Sequence, residues 1–146
     1  MTTINYFPST LQSPSNDSSD SYLITQLKKT TGPQFEKHLG GFFKYQGYQV
    51  ELTKPSRDKG ADLIVTCAWE KKVIQAKQWK EHVGVRAIQE VYAAQKNYDA
   101  THALVITTSQ FTKPAIELAN KLGVECWDGE RLLKELYKYQ YFYPPE

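Results

Sequence analysis

The amino-acid sequence predicts an α/β fold, a mixed central sheet flanked by helices on both faces, and three observations carry that expectation. Two short β-branched runs, 61–67 and 72–78, lie close enough together to pair as an antiparallel hairpin. Two later apolar runs, 102–107 and 124–127, each follow a stretch of helical periodicity, so helices must alternate with strands. The hairpin runs are apolar on both sides, with Leu63, Val65, Cys67, Ile74 and Ala76 on one and Ile64 and Val73 on the other. Such strands need cover on both faces.

Residues 1–20 are rich in Thr, Asn, Ser, Pro and Asp and offer too little apolar surface to offset the entropy of ordering, which predicts a flexible N-terminal arm ahead of one domain at 21–146. A short helix is expected at 21–29, with Leu23, Ile24 and Leu27 on one face. From Thr31 the pattern sharpens: Pro33 suits a first helical turn, and Phe35, Leu39, Phe42 and Phe43 recur at helical spacing until Gly47. A strand at 48–52 and a polar loop at 53–60 follow. After the hairpin, Val85, Ile88, Val91 and Tyr92 form the stripe of a helix at 85–98. The strand at 102–107 leads to a helix at 114–122 closed by Gly123, then the short strand and a last helix at 130–139.

Composition bounds the function without choosing it. A chain of 146 residues, 40% hydrophobic and 23% charged, can bury a single core. A net charge of +2 permits nucleic-acid binding but does not argue for it alone. No apolar run approaches the roughly 18 residues of a membrane span, and no signal-peptide layout opens the chain, so no membrane association and a cytoplasmic, intracellular location are expected. Cys67 and Cys126 read as buried free thiols. His38, His82 and His102 lack ligand spacing, which leaves zinc sites and Ser/His or Cys/His hydrolases without support. No small-molecule cofactor is expected.

Gln75 and Lys77, two apart in a strand, project to the same side. A turn centred on Trp69 and Glu70 would set Asp62 directly across from Lys77, gathering a carboxylate, an amide oxygen and an ammonium at one end of an otherwise apolar surface. Such a group can hold a divalent cation that polarises a phosphodiester, with Lys77 orienting the attacking water or stabilising the developing charge. It can equally be a cross-strand Asp62–Lys77 ion pair with Gln75 satisfying a backbone group. On spacing alone, both readings stand.

Around this cluster the sequence resembles the Mrr-like restriction endonuclease family of the PD-(D/E)xK nuclease superfamily. The resemblance runs through Gln34-Phe35-Glu36, Gly47-Tyr48-Gln49-Val50, Asp58-Lys59-Gly60-Ala61-Asp62-Leu63-Ile64 and Val73-Ile74-Gln75-Ala76-Lys77. It continues through Val83-Gly84-Val85, Gln89-Glu90-Val91, Val105-Ile106-Thr107-Thr108-Ser109, Phe111-Thr112, Ala115 and Trp127-Asp128-Gly129 to Leu132. It implies a restriction-endonuclease-like fold and hydrolysis of DNA with Mg²⁺ or Mn²⁺. It further implies Asp62 and Gln75 as metal ligands, Lys77 as a catalytic residue, and Glu36 completing the metal site from the first long helix. No proline precedes Asp62, and Gln75 is neutral where other superfamily members carry Glu or Asp, which leaves fewer anionic ligands. A catalytically inactive module that binds DNA or aids assembly is therefore the alternative.

Asp58 is a candidate support for Asp62, although a turn aspartate beside Gly60 can equally bond its own loop. Lys54, Arg57, Lys59, Trp79, Lys80 and Arg86 sit in segments next to the cluster and suit a phosphate backbone, or form a solvated rim. Thr107, Thr108, Ser109 and Gln89 are candidate phosphate donors that can also cap or close local turns. Tyr137, Tyr139, Tyr141, Phe142 and Tyr143 can stack on bases or pack across the domain. Cutting both strands of a duplex needs two sites, so a homodimer is a plausible expectation.

Overall fold

The computed structural model describes residues 17–53 and 60–141, with side chains from residue 22 onward. Residues 1–16, residues 54–59 with Lys54, Arg57, Asp58 and Lys59, and residues 142–146 with Phe142 and Tyr143 lie outside the described residues.

The elements follow the expected order: α1 (Asp17–Lys28), α2 (Gly32–Tyr45), β1 (Gln49–Leu52), β2 (Leu63–Thr66), β3 (Lys71–Lys77), α3 (Val85–Asn97), β4 (His102–Thr107), α4 (Lys113–Leu122), β5 (Glu125–Trp127) and α5 (Gly129–Lys138). The strands form one sheet in the order β1-β2-β3-β4-β5. β2 runs antiparallel to both β1 and β3, and β4 and β5 each join in parallel after a helical crossover. The helix expected at 21–29 begins at Asp17, so four residues of the expected arm are helical. Their polar composition hid this, because α1 holds by docking Leu27 and Ile24 on the core beside α5 rather than by its own periodicity.

Capping fixes where the helices start. Thr31 accepts from Gln34 N at 3.2 Å while the Gln34 side chain accepts in return from Thr31 N at 2.9 Å, closing a capping box on α2. Thr112 and Asp128 cap α4 and α5, accepting from Ala115 N and Arg131 N. Gly123, with φ +76°, ends α4 in the left-handed conformation that only glycine adopts cheaply.

Two cores lie on opposite faces of the sheet. On one, α1, α2 and α5 bury Phe35, Phe42, Phe43, Leu63, Ile74, Leu104, Trp127 and Leu132. Phe43 stacks on Trp127 at 6.1 Å and Phe42 meets Tyr139 and Tyr141 at 5.6 Å, so the C-terminal tyrosines pack inward. Gly41 makes this possible, because a Cβ there would stand 2.5 Å from the Tyr141 hydroxyl. On the other face, α3 and α4 cover the sheet with smaller residues: Ile64, Val73, Val105, Ile88 and Val91, with Ala61, Ala87, Ala94, Ala103, Ala115 and Ala119.

The hairpin register differs from expectation. Its two-residue loop is Ala68-Trp69, closed by Cys67 N donating to Glu70 O at 2.9 Å, and Leu63 lies opposite Ile74. The turn lacks the Asn-Gly or Asp-Gly signature that would have located it. Asp62 is thereby aligned with Gln75 rather than Lys77. Because the slip is an even number of residues, every side chain keeps its expected face.

Candidate active site

The site forms where four chain ends meet: the start of α2, the start of β2, the end of β3 and the first turns of α3. The antiparallel β2–β3 pairing sets the start of one strand beside the end of the other, which brings Asp62 alongside Gln75 and Ala76. Here β2 has not yet entered the ladder. Asp62 N donates to Ile74 O at 2.8 Å, and an Asp62 carboxylate oxygen accepts from Ala76 N at 2.7 Å. The side chain thus replaces a strand neighbour for Ala76 and is locked against β3.

Gln75 is 2% exposed and lies on the α3 side of the sheet, flanked along its strand by Ile74 and Ala76 packed on the other side. Its Nε2 donates to Glu90 Oε1 at 3.2 Å, and Glu90 is in turn held by Arg86 Nε at 3.0 Å. Lys77, on the same face two residues on, places its Nζ over the Trp79 ring at 4.5 Å. The cross-strand Asp62–Lys77 ion pair of the alternative reading is absent among the salt bridges of the described residues. The two charges still sense each other, since Lys77 draws the Asp62 carboxyl downward.

The carboxylates carry the marks of a crowded anionic site. Burial, then the Asp62 charge, pushes Glu36 up from 4.5 to about 7. Asp62 is also raised, by burial first and by Glu90, against the opposing pull of the Ala76 N–H and Lys77. Burial raises Glu90 too, yet hydrogen bonds from Arg86 and Gln75 and the charges of Arg86 and Lys77 outweigh it and hold the group below its ordinary value. The sequence brings two acids from opposite sides of the sheet toward one point, where a divalent cation would relieve their mutual repulsion. Among the described residues no three His, Cys, Asp or Glu side chains make a metal-holding group by themselves, so a cation here would draw on the amide of Gln75 as well as on Asp62 and Glu36. Oxygen-only donors of this kind fit Mg²⁺ or Mn²⁺.

The remaining candidates divide. Lys80 and Gln89 are exposed beside the site. Arg86 is exposed but engaged with Glu90. Ser109 is buried, and its hydroxyl donates to Lys80 O at 3.1 Å, while Thr108 donates to Trp79 O at 3.3 Å. These two hydroxyls hold the segment that follows Lys77. Lys54, Arg57 and Lys59 fall outside the described residues. Cys67 and Cys126 are free and half-buried rather than fully buried. Burial, with Glu125 and Asp128, pushes the Cys126 thiol up to about 11, which keeps it protonated and unreactive.

Sequence reasoning missed Glu90 and singled out its neighbour Gln89. The buried stripe of α3 is Ala87, Ile88, Val91 and Ala94: of the expected stripe Ile88 and Val91 are buried and Tyr92 is partly buried, whereas Val85 is exposed. Glu90 stands three after Ala87 and four before Ala94, on the margin of that stripe, and counting the alanines as core would have found it. Gly60 makes the approach possible: a Cβ there would collide with the Glu90 carbonyl oxygen, so the segment leading into Asp62 lies directly on this turn of α3.

A family model described as restriction endonuclease, the Mrr catalytic domain, matches residues 27–136. The chain is 34% identical over 95 residues to the type IV methyl-directed restriction enzyme EcoKMrr of Escherichia coli (strain K12), a match covering 61% of this chain and 31% of that protein. The chain thus spans about a third of the length of that relative. Among solved structures, it resembles the DNA modification-dependent restriction endonuclease AspBHI with a TM-score of 0.68 and 18% identity, over 96% of this chain and 40% of that one. The MspJI restriction endonuclease, solved with a 27-mer oligonucleotide, gives a TM-score of 0.64 and 18% identity over 93% and 35%. These two likenesses establish a restriction-endonuclease fold.

Proposed function

Because the chain belongs to the Mrr-type restriction endonuclease family, we propose that it is a divalent-metal-dependent endonuclease that hydrolyses DNA phosphodiester bonds inside the cell. The observation that carries this reading is the convergence of Asp62, Gln75 and Lys77 at one strand end, with Glu36 raised to about 7 by burial and by Asp62.

In this reading Asp62, Gln75 and Glu36 hold Mg²⁺ or Mn²⁺, which when bound supplies Lewis acidity toward the phosphodiester. The Ala76 N–H occupies one Asp62 oxygen and so fixes the carboxylate's orientation. Lys77, resting on Trp79, delivers its ammonium to the attacking water or to the charge that builds on the phosphoryl oxygens. Lys80 and Gln89 meet the DNA backbone, joined by Lys54, Arg57 and Lys59, while Arg86 and Ser109 act mainly through their internal bonds. A homodimer would place two sites on one duplex.

A second reading, a DNA-binding or assembly module without turnover, draws on the neutral Gln75 and the lack of a three-acid group among the described residues. One experiment separates them. Methylated and unmethylated plasmid, linear and branched DNA are incubated with Mg²⁺ or Mn²⁺ and the wild-type chain, Asp62→Ala or Lys77→Ala. Cleavage by the wild type alone, with both variants folded, supports the nuclease. Absence of wild-type cleavage on every substrate, with unchanged DNA affinity in the variants, supports the module.

A further inference from the structure

Position 75 is neutral where the chemistry would profit from a negative charge, yet a carboxylate touches it. Gln75 Nε2 and Glu90 Oε1 are 3.2 Å apart, and Arg86 Nε secures the other Glu90 oxygen at 3.0 Å. An ionised carboxylate only accepts hydrogen bonds, so it can face only the NH₂ end of an amide. That constraint turns the amide's carbonyl oxygen, the end able to ligate a cation, away from Glu90. A glutamine at the end of a strand has no such preference of its own, since its two ends are nearly identical in shape.

We infer that Glu90 is a positioning residue that fixes Gln75 as an oxygen donor to the site, and that Glu90 is the reason position 75 is neutral. A glutamate at 75 would replace the amide N–H that Glu90 accepts from with a second carboxylate, setting two acceptors of like charge against each other with no hydrogen between them. Gln75 and Glu90 are therefore one unit: an amide on the strand and a carboxylate on the helix, holding a single negative charge between them. The fold supports this coupling independently, because Gly60 leaves room for the Asp62-bearing segment to rest on the Glu90 carbonyl. The same turn of α3 thus orients Gln75 through its side chain and seats the approach to Asp62 through its backbone.

This inference rests on the nuclease reading, and Mn²⁺ binding measured by calorimetry tests it apart from turnover. The proteins are the full chain as wild type, Glu90→Gln, Gln75→Glu and the double variant, with thermal melts to show that each is folded. With Gln75 in place, Glu90→Gln frees the amide to present either end, and Mn²⁺ affinity falls about ten-fold or more. Added to Gln75→Glu, the same substitution removes a repulsion and leaves a charged donor at position 75, so affinity rises toward or beyond the wild-type value. That reversal of sign is the expected result, and DNA cleavage follows the same order. A merely structural Glu90 gives the same change with either residue at position 75, which overturns the inference while wild-type binding and cleavage leave the nuclease standing. A wild type that neither binds Mn²⁺ nor cuts DNA overturns both.

Discussion

The two faces of the sheet are built from different side chains. One carries Phe35, Phe42, Phe43 and Trp127 under α2 and α5; the other carries six alanines among its valines and isoleucines under α3 and α4. Large aromatics bury much apolar surface and tolerate little loss, so the first face supplies most of the stability. Small side chains let a helix come close to a sheet, and on the second face that closeness brings Glu90 within hydrogen-bond reach of Gln75. The division teaches that stability and site geometry are set by separate surfaces, joined at one end of the sheet by Asp62 and Glu36.

Substitutions on each face should therefore fail differently. Phe42→Ala removes a fully buried ring at the centre of the aromatic face and should cost about 3–5 kcal/mol in denaturant unfolding. Mn²⁺ affinity of the folded fraction should stay near wild type; a large loss of affinity there would break the division. Ala87→Leu overfills the small face and should cost only about 1–3 kcal/mol. It lifts α3 from the sheet, however, so Mn²⁺ affinity and cleavage should drop sharply, as calorimetry and a plasmid assay would register. Gly60→Ala should behave like Ala87→Leu for the same reason, the new methyl meeting the Glu90 carbonyl.

Glu36 predicts a gentler effect, read as stability against pH in metal-free protein. Its carboxyl titrates at about 7 in the fold against 4.5 in the unfolded chain, so the folded state holds the proton longer. The stability it contributes is present below the lower value, declines as pH rises between the two and levels off above the higher. Since the group is partly exposed the decline is modest, and Glu36→Gln should flatten it in melts collected across that range. The smallest effect belongs to Trp79→Ala, which removes the ring beneath Lys77. About 0.5–1 kcal/mol of ammonium positioning is at stake, a few-fold loss of cleavage rate that Trp79→Phe should largely restore.

Much of this was legible in the sequence. The order of elements from α2 onward followed from periodicity and from boundary signals such as Pro33 and Gly123. Asp62, Gln75 and Lys77 fell on one face because strand alternation survives an even error in register. What escaped had tertiary causes. The Ala68-Trp69 turn has no local signature, so Asp62 was matched to Lys77 instead of Gln75. The start of α1 is polar, and the helix docks through Ile24 and Leu27 further along. Glu90 was overlooked because the alanine stripe that turns α3 carries little hydrophobic signal of its own. That Arg86 is occupied by Glu90 was not visible either.

The indole of Trp79 beside Lys77 also gives the molecule an optical handle. Trp127 is buried in the aromatic core and Trp69 stands at the hairpin tip, at the end of β3 away from Lys77. Of the chain's three indoles, only Trp79 sits against Lys77 in the candidate site. A change in intrinsic fluorescence on adding Mn²⁺ or DNA that vanishes in Trp79→Phe would therefore come from the site itself, allowing occupancy to be followed in real time without an attached dye.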